Sequence, residues 1–287
     1  MTAGGRDPSI SVVVPTVGRP RYRERCLAAL AGSELAPERF EVVVVDDSSD
    51  PEIGRVADAA SVGPRVVRPS RTGPSGARNA GAMGARGEFV AFTDDDCEPS
   101  PGWLPALERA LAANPGAAVG GVTVNGVPAD ASAAASQAVV DAVHAQFNRD
   151  PAAPRFFASS NVAFPTLEFR AVGGFEEGFR YAEDREMCER WLRTGHRFAH
   201  APEALVVHMR TMTLREFWRQ HYGYGRGAAA FARRRGDAGG GDRRGVVGEI
   251  GAAARRGNAS LAAHLALSQV ATLAGYSREA VTGRRGR

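Results

Sequence analysis

Residues 75–104 read SGARNAGAMGARGEFVAFTDDDCEPSPGWL, and this stretch decides the fold. Its first part places small residues at helical spacing, which is typical of a helix that lies close to a sheet. Its second part, Glu88 to Thr93, predicts a buried strand and ends in the three carboxylates Asp94 to Asp96. Helix, buried strand and polar strand end follow one another here as they do in a parallel α/β unit.

The sequence before this stretch has the same organisation. Ile10 to Val14 and Phe40 to Val45 are Val-rich runs that predict buried strands, and the second is followed by the polar residues Asp46 to Asp50. A helix is predicted between them, because its apolar residues fall on one face and Gly32 ends it. Apolar strands that alternate with helices favour a mostly parallel central sheet, in which ligands bind at the carboxyl ends of the strands. The acidic residues of this chain follow those ends.

The rest of the chain adds further elements and then a basic tail. Strands are predicted over Phe156 to Phe164 and Ala204 to Val207. Residues 226–287 contain twelve arginines and four acidic residues, a net charge of about +8 in a chain whose total is +4. We therefore divide the chain into an α/β domain, 1–225, and a basic C-terminal linker and helical tail, 226–287. The Gly-, Arg- and Asp-rich stretch 236–248 predicts the linker.

Composition narrows the class of protein. No run reaches the roughly 18 apolar residues of a membrane span, and the N-terminal residues lack the apolar core of a signal peptide, so we expect a cytoplasmic protein. Cys26, Cys97 and Cys188 are widely spaced, which indicates neither a disulfide framework nor a zinc knuckle. The basic tail suits peripheral contact with a membrane surface, and a solvated tail is the alternative. Nucleic acid is not expected as a partner, and the oligomeric state stays open.

Carboxylates and one arginine at the strand ends suit nucleotide chemistry. Asp94 and Asp96 can present hard oxygen ligands to Mg²⁺ or Mn²⁺, or they belong to an ordinary polar turn. Asp47 stands in the loop where the base or ribose of a nucleotide would lie, or it forms a turn. Arg78 can neutralise a pyrophosphate or make a surface salt bridge.

Three further candidates come later in the chain. Glu183 and Asp184 precede a predicted helix, and Asp184 is a candidate for chemistry or an N-cap residue. His208 ends a predicted strand, where it can bind a cation through a ring nitrogen or serve as a structural hydrogen-bonding residue. Each signal is weak alone, and only their order and spacing make them specific.

In that order and spacing the chain resembles glycosyltransferase family 2, which has the GT-A fold. The resemblance covers roughly residues 9–210. It implies an α/β protein with a Rossmann-like, mostly parallel central sheet flanked by helices, to which the tail adds a C-terminal helical appendage. The residues that carry it are the strand Ser11 to Val14 with Pro15 and Thr16, VVVVDDSSD at 42–50, the stretch 75–104, SSNVAF at 159–164 and VGGFEEGFRYAEDREMCERWLRTGHRF at 172–198.

The resemblance also implies an activity and a set of site residues. The expected enzyme is an inverting glycosyltransferase that moves a sugar from a nucleoside-diphosphate donor to an acceptor hydroxyl, with Mn²⁺ or Mg²⁺ as cofactor. Asp184 matches the general base of the family's ED motif, with Glu183 beside it, and Asp96 and His208 match metal ligands. The implied donor-binding residues are Pro15, Thr16, Arg19, Asp47, Arg78, Asp94 and Asp95.

The sequence departs from the family pattern at two places. Cys97 stands where many members have a further aspartate. The QxxRW motif of processive, polymerising members is not found as such, because Arg190 and Trp191 belong to the helix that follows the ED motif.

Three alternatives remain open at this point. One is a retaining transferase, because the family's DxD motif, which Asp94 and Asp96 match, does not record stereochemistry. Another is a sugar nucleotidylyltransferase, but that class places a Gly-rich, Arg-bearing loop after the first strand, where this chain has PTVGRP. The last is a non-catalytic nucleotide-sugar-binding protein, against which the retained Asp94, Asp96 and Asp184 argue.

An aromatic helix is predicted over residues 213–231. Aromatic faces stack on sugars and other rings, so this helix is a candidate for the wall on the acceptor side. An amphipathic helix packed on the sheet is the alternative. The ring-bearing residues are Phe217, Trp218, His221, Tyr222 and Tyr224.

Overall fold

The computed structural model describes residues 7–48, 60–70, 73–236 and 244–282. In these residues the strands are β1 (Ile10–Thr16), β2 (Phe40–Asp46), β3 (Arg65–Val67), β4 (Phe89–Phe92), β5 (Cys97–Pro99), β6 (Ala117–Asn125), β7 (Val162–Pro165) and β8 (Arg197–His208). The helices are α1 (Pro20–Ala31), α2 (Pro74–Met83), α3 (Trp103–Ala113), α4 (Ala131–Phe147), α5 (Thr166–Ala171), α6 (Glu183–Arg193), α7 (Leu214–Arg235), α8 (Arg244–Arg255) and α9 (Ala259–Thr282).

The eight strands form one sheet in the order β3-β2-β1-β4-β7-β6-β8-β5. The first four of these strands are parallel, β7 is antiparallel to both of its neighbours, and β5 is antiparallel to β8. This arrangement confirms the α/β fold with a Rossmann-like parallel half and C-terminal helices. Because the parallel strands end together, the residues after β1, β2 and β4 meet at one edge of the sheet.

Helices cover the sheet on both faces. On one face, α1 and α3 bury Leu27, Leu30 and Leu107 against the alternate valines of β1. On the other face, α2 lies so close that a Cβ atom on Gly81 would stand 2.4 Å from Cγ1 of Val13. The small residues of α2 are therefore required by the distance between helix and sheet, as the sequence pattern predicts.

Two of the predicted elements are shorter in the structure, and the strand predicted over Ala204 to Val207 begins earlier, at Arg197. The strand expected over 156–164 is shorter, because Phe157 lays its ring over β6, and only the residues from Val162 onward pair with the sheet. A Cβ on Gly120 would stand 1.9 Å from that ring. The linker expected over 236–248 is also shorter, because α8 begins at Arg244, while residues 237–243 lie outside the described part.

The C-terminal helices pack on α4 and on one another. A Cβ on Gly225 of α7 would stand 1.9 Å from the carbonyl oxygen of Thr272, and one on Gly275 of α9 would stand 2.0 Å from that of Tyr222. The two helices therefore touch through their backbones. The boundary that the sequence suggests at residue 225 falls inside α7, which runs through it without a break. Within the described residues, no helix combines the length and the apolar character needed to cross a membrane.

The contact between α7 and α9 can be tested with Gly225→Ala. The added methyl group must push the two backbones apart, so we expect the free energy of unfolding in urea to fall by about 1–3 kcal/mol. Gly248→Ala in α8 is the matched control, because its Cβ would meet nothing within 4 Å. There the higher helix propensity of alanine should raise the free energy of unfolding by about 0.5–1 kcal/mol. Equal effects of the two substitutions would contradict the close packing.

Candidate active site

A cleft of about 1300 Å³ opens at the carboxyl ends of the parallel strands. This volume exceeds the range of about 300–1000 Å³ that is common for sites of single small ligands, so the cleft has room for two substrates. Nine of the eleven site residues expected from the sequence line it: Pro15, Arg19, Asp47, Arg78, Asp94, Asp96, Glu183, Asp184 and His208. The other two, Thr16 and Asp95, are buried behind the wall.

Thr16 and Asp95 position Arg19. The Thr16 hydroxyl donates to Oδ2 of Asp95 at 2.7 Å, and the guanidinium of Arg19 contacts both Asp95 and Asp96. Burial raises the pKa of Asp95 to about 6, against the lowering effect of Arg19. Burial lowers the pKa of Arg19, but the negative charges of Asp96, Asp95 and Asp94 have a larger, opposite effect. The pKa of Arg19 is therefore raised overall. Thr16 and Asp95 thus act on the cleft through Arg19.

Asp96 lies between Arg19, which precedes α1, and Arg210, which follows β8, and it also faces His208 at the end of β8. Its Oδ1 is 3.5 Å from Nε2 of His208, and its Oδ2 faces Arg19 and is 4.0 Å from Nη1 of Arg210. Burial favours the neutral acid, but His208 and Arg19 outweigh it and hold the pKa of Asp96 well below its usual range. Burial lowers the pKa of His208, but its hydrogen bond to Asp96 and the charge of Asp96 raise it overall. Arg210 is a residue that the sequence pattern did not predict, and its only signal is its place two residues after His208.

The sheet itself brings Asp96 and His208 together. β5 pairs with β8 in a register that sets Cys97 opposite His208, and the backbone amide of Met209 donates to the carbonyl oxygen of Asp96 at 2.8 Å. These two ligand candidates are therefore fixed by main-chain pairing although they are more than a hundred residues apart in sequence.

The residues present fit a hard divalent cation. Ligand atoms of Asp96, Cys97 and His208 lie within 4.8 Å of one another. Cys97 is fully buried, and burial raises the pKa of its thiol well above the ordinary value, so it stays protonated and is a poor ligand. One carboxylate oxygen and one imidazole nitrogen remain, a set that suits Mn²⁺ or Mg²⁺ when phosphate and water complete the coordination shell.

Arg78 links the end of β4 to the start of α6. Its guanidinium donates to Oδ1 of Asp94 at 2.7 Å and to Oε1 of Glu183 at 3.1 Å. The arginine is only 4% exposed, so burial opposes its charge, but Asp94 and Glu183 outweigh burial and raise its pKa. A buried arginine with two carboxylate partners is held in place before any substrate binds.

Glu183 and Asp184 occupy the first turn of α6, where the helix dipole favours negative charge. Glu183 is 9% exposed, and burial together with the neighbouring Asp184 raises its pKa to about 7, against the effect of Arg78. Asp184 is half-buried, and its Oδ1 accepts the backbone amide of Arg185 at 2.7 Å. Burial also raises the pKa of Asp184. Among the described residues, no arginine lies within ion-pair distance of Asp184.

The backbone before these carboxylates is strained. Ala182 has φ +67°, which in the described part of the chain is the only left-handed conformation of a residue other than glycine. The loop is held there by α7, because a Cβ on Gly227 would stand 2.6 Å from the carbonyl oxygen of Tyr181. The direction in which α6 presents Asp184 therefore depends on the contact with α7, a helix that comes later in the chain.

Asp47 and Pro15 border the cleft at its other end. Oδ2 of Asp47 accepts the backbone amide of Gly73 at 2.6 Å and thereby joins the end of β2 to the start of α2. Asp47 is half-buried, and Pro15 is the residue before the end of β1. Both lie in the same cleft as Arg78, which is the grouping that the family resemblance implies.

The aromatic wall expected from residues 213–231 is only partly present. Tyr224 lines the cleft, but Phe217 and His221 are fully buried and pack on each other. Trp218 and Tyr222 do not line it. The remaining wall comes from α7 and α9 through Gln220, Gln269, Thr272 and Tyr276. The contribution of α9 has no signal in the sequence, since it follows from the glycine contacts between the two helices.

Known sequences match this chain along most of its length. A family model described as glycosyl transferase family 2 matches residues 11–167. The glucosyl-dolichyl phosphate glucuronosyltransferase of Haloferax volcanii is 30% identical over 234 residues, which are 73% of this chain and 74% of the relative. The pre-mycofactocin glycosyltransferase of Mycobacterium tuberculosis is 28% identical over 245 residues, 82% of this chain. The match spans only half (50%) of that relative's length.

Solved structures share the fold. A mannosyltransferase from Pyrobaculum calidifontis, in complex with GDP-Man and Mn²⁺, superposes with a TM-score of 0.62 at 22% identity over 98% of this chain and 80% of its own. Residues 1–349 of S. aureus TarS, in complex with UDP-GlcNAc, superpose with a TM-score of 0.56 at 18% identity, covering 97% of this chain and 92% of that one. At these identities the likeness concerns the fold alone.

Glu183 should make stability depend on pH. Its folded-state pKa of about 7 lies above the ordinary 4.5, so the folded protein keeps a proton that the unfolded chain releases. The resulting stabilisation is complete below about pH 4.5 and is lost as the pH rises through about 7. The free energy of unfolding of Glu183→Gln, relative to that of the wild type, should therefore rise by about 1–3 kcal/mol between pH 5 and pH 8. Urea unfolding in EDTA measures it. Glu38→Gln, at an exposed position, should keep the wild-type profile. Parallel profiles for all three proteins would refute the assignment.

Proposed function

This chain is a glycosyltransferase that belongs to glycosyl transferase family 2, and we propose that it is an inverting enzyme that uses a divalent cation and an aspartate base. The observation that carries the proposal is the convergence of Asp96, His208, Arg78 and Asp184, from four separate parts of the chain, in one cleft. Together they offer a cation site, a buried positive charge and a proton acceptor, which are the groups that transfer from a nucleoside diphosphate requires.

The charged half of the cleft suits the donor. Arg19, Arg78 and Arg210 line it, and together with a cation held by Asp96 and His208 they would offset the negative charge of two phosphates. Asp47 and Pro15 lie at the end where the base and ribose would bind. Two proteins with this fold were solved with GDP-Man and with UDP-GlcNAc, and we propose a nucleotide sugar as the donor here.

Asp96 and His208 are the residues that would hold the cation. When bound, Mn²⁺ or Mg²⁺ neutralises the charge that develops on the diphosphate leaving group. Arg78 would also stabilise this charge, and its two carboxylate partners fix its position. This electrostatic stabilisation is usually the largest part of the rate enhancement in transfer reactions.

Asp184 is the residue we assign as general base. It lies in the cleft and makes no ion pair with arginine among the described residues, whereas Glu183 is tied to Arg78. Asp184 would accept the proton of the acceptor hydroxyl while the hydroxyl oxygen attacks the anomeric carbon opposite the departing diphosphate. Attack from that side inverts the configuration. Glu183 would keep Arg78 oriented.

The half of the cleft formed by α4, α7 and α9 suits the acceptor, and Asp141 of α4 is among the residues that line it. Hydroxyl, amide and phenol groups line it, and they can hydrogen-bond to hydroxyl groups without requiring charge. α4, α7 and α9 supply these groups, so we propose that residues 1–225 carry the donor site and that the helical tail, 226–287, completes the wall on the acceptor side. The residues are Ser136, Gln137, Gln220, Tyr224, Gln269, Thr272 and Tyr276.

Asp184→Asn should abolish transfer and leave donor binding intact. The amide cannot accept the proton, so we expect the rate constant for transfer to fall by about 10²–10⁴-fold, while calorimetry with GDP and UDP gives unchanged affinity for whichever nucleotide the wild type binds. Asp150→Asn, at an exposed position away from the cleft, is the matched control. Wild-type transfer by Asp184→Asn would remove Asp184 from the role. A retained anomeric configuration in the product, measured by NMR, would replace inversion by a retaining mechanism.

Asp96→Ala should weaken nucleotide binding only when metal is present. Without this carboxylate the cation loses an oxygen ligand, so we expect the affinity for nucleoside diphosphate in Mn²⁺ to fall at least about tenfold and the affinity in EDTA to change little. Cys97→Ala is the control from the same cluster, and it should keep the affinity in Mn²⁺ because the neutral thiol is not a ligand. If Cys97→Ala loses the metal effect and Asp96→Ala keeps it, the assigned ligand set is wrong.

A further inference from the structure

The outer face of α9 carries no charge over most of its length. The 24-residue helix has no Asp, Glu, Lys or Arg before Arg278. Its buried face packs through Leu265, Ala271 and Gly275. Six exposed residues follow one another at intervals of three or four on the opposite face, and we name them the α9 stripe: Ala263, Ala266, Val270, Leu273, Ser277 and Val281.

The α9 stripe is unusual for a face that meets water. Val270, Leu273 and Val281 are 57%, 49% and 57% exposed. A surface helix normally places charged and polar residues on its solvent side, and a contiguous exposed apolar face marks a contact surface.

The α9 stripe lies beside the acceptor half of the cleft. Gln269, Thr272 and Tyr276 line that half and belong to the neighbouring face of the same helix. Whatever covers the stripe therefore stands next to the half of the cleft that we propose for the acceptor.

The charge around the α9 stripe favours an anionic occupant. Arg255 and Arg256, exposed at the end of α8, precede the first turn of α9, and the exposed Arg278 flanks the stripe near the other end. A second copy of the chain would bring the same excess of positive charge to the contact, whereas an apolar face flanked by arginines matches the interface of an anionic bilayer.

We propose that the α9 stripe and its flanking arginines dock the protein on an anionic lipid surface, with the acceptor side of the cleft next to the bilayer. The docking surface does not depend on the transfer mechanism, since it uses none of the residues assigned to the donor, the cation or the base. It would restrict the reaction to acceptors that are presented at a membrane.

The test is co-sedimentation of the full chain with vesicles of phosphatidylcholine, either alone or with about 30 mol% phosphatidylglycerol, which gives the vesicles a negative surface charge. We expect binding to the anionic vesicles only, weakened by added salt. The double substitution Val270→Asp with Leu273→Asp should reduce binding at least about tenfold. Leu167→Asp is the matched control, because Leu167 is 74% exposed in α5, which follows β7 at the end of the sheet away from the cleft.

A second variant tests the charge without altering the α9 stripe. Arg255→Glu with Arg278→Glu should also reduce binding at least about tenfold. All variants should keep the circular dichroism spectrum and the nucleotide affinity of the wild type, which separates a failure of docking from a failure of the proposed transfer. Equal binding of wild type and stripe variant, or equal binding to neutral vesicles, would overturn the proposal. A second outcome would also overturn it: the protein binds no vesicles, and light scattering shows a dimer that the stripe substitutions dissociate.

Discussion

The site depends on how three consecutive carboxylates are held at the end of β4. Asp94, Asp95 and Asp96 repel one another, and the last two are buried, where an unpaired charge is most unfavourable. Arg19 contacts Asp95 and Asp96, and Arg78 contacts Asp94. The ion pairs join the end of β4 to the turn after β1 and to α2. Charge therefore fixes three parts of the chain relative to one another before a substrate binds.

The same electrostatics divide the cleft in two. Ionised groups surround the position proposed for the diphosphate, where negative charge develops during transfer, and preorganised charges are most effective there. Hydroxyl and amide groups, together with the carboxyl group of Asp141, line the half proposed for the acceptor. Asp184 lies with the ionised groups, and its raised pKa, caused by burial, suits a group that must take up a proton.

Helix α7 connects these two halves through glycine. Gly227 lies against the backbone of Tyr181 and thereby supports the strained turn that begins α6, while Gly225 lies against α9. One helix thus sets both the direction of the proposed base and the position of the proposed acceptor wall. Any larger side chain at these glycines would move one or the other, because protein interiors leave no room for displacement without strain.

The sequence by itself determined the parallel half of the fold, because apolar strands, small helix residues and polar strand ends are local patterns. The family resemblance that the sequence carries supplied nine of the residues that line the cleft. That resemblance gave Thr16, Asp95 and Arg19 the same role. In the structure only Arg19 lines the cleft, and Thr16 and Asp95 lie behind the wall and hold Arg19 in place. The place of Arg210 in the site and the contribution of α9 to the cleft wall were decided only by the tertiary structure. Their positions follow from strand register and from backbone contact between helices, and both join residues far apart in the chain, a relation that no local pattern contains.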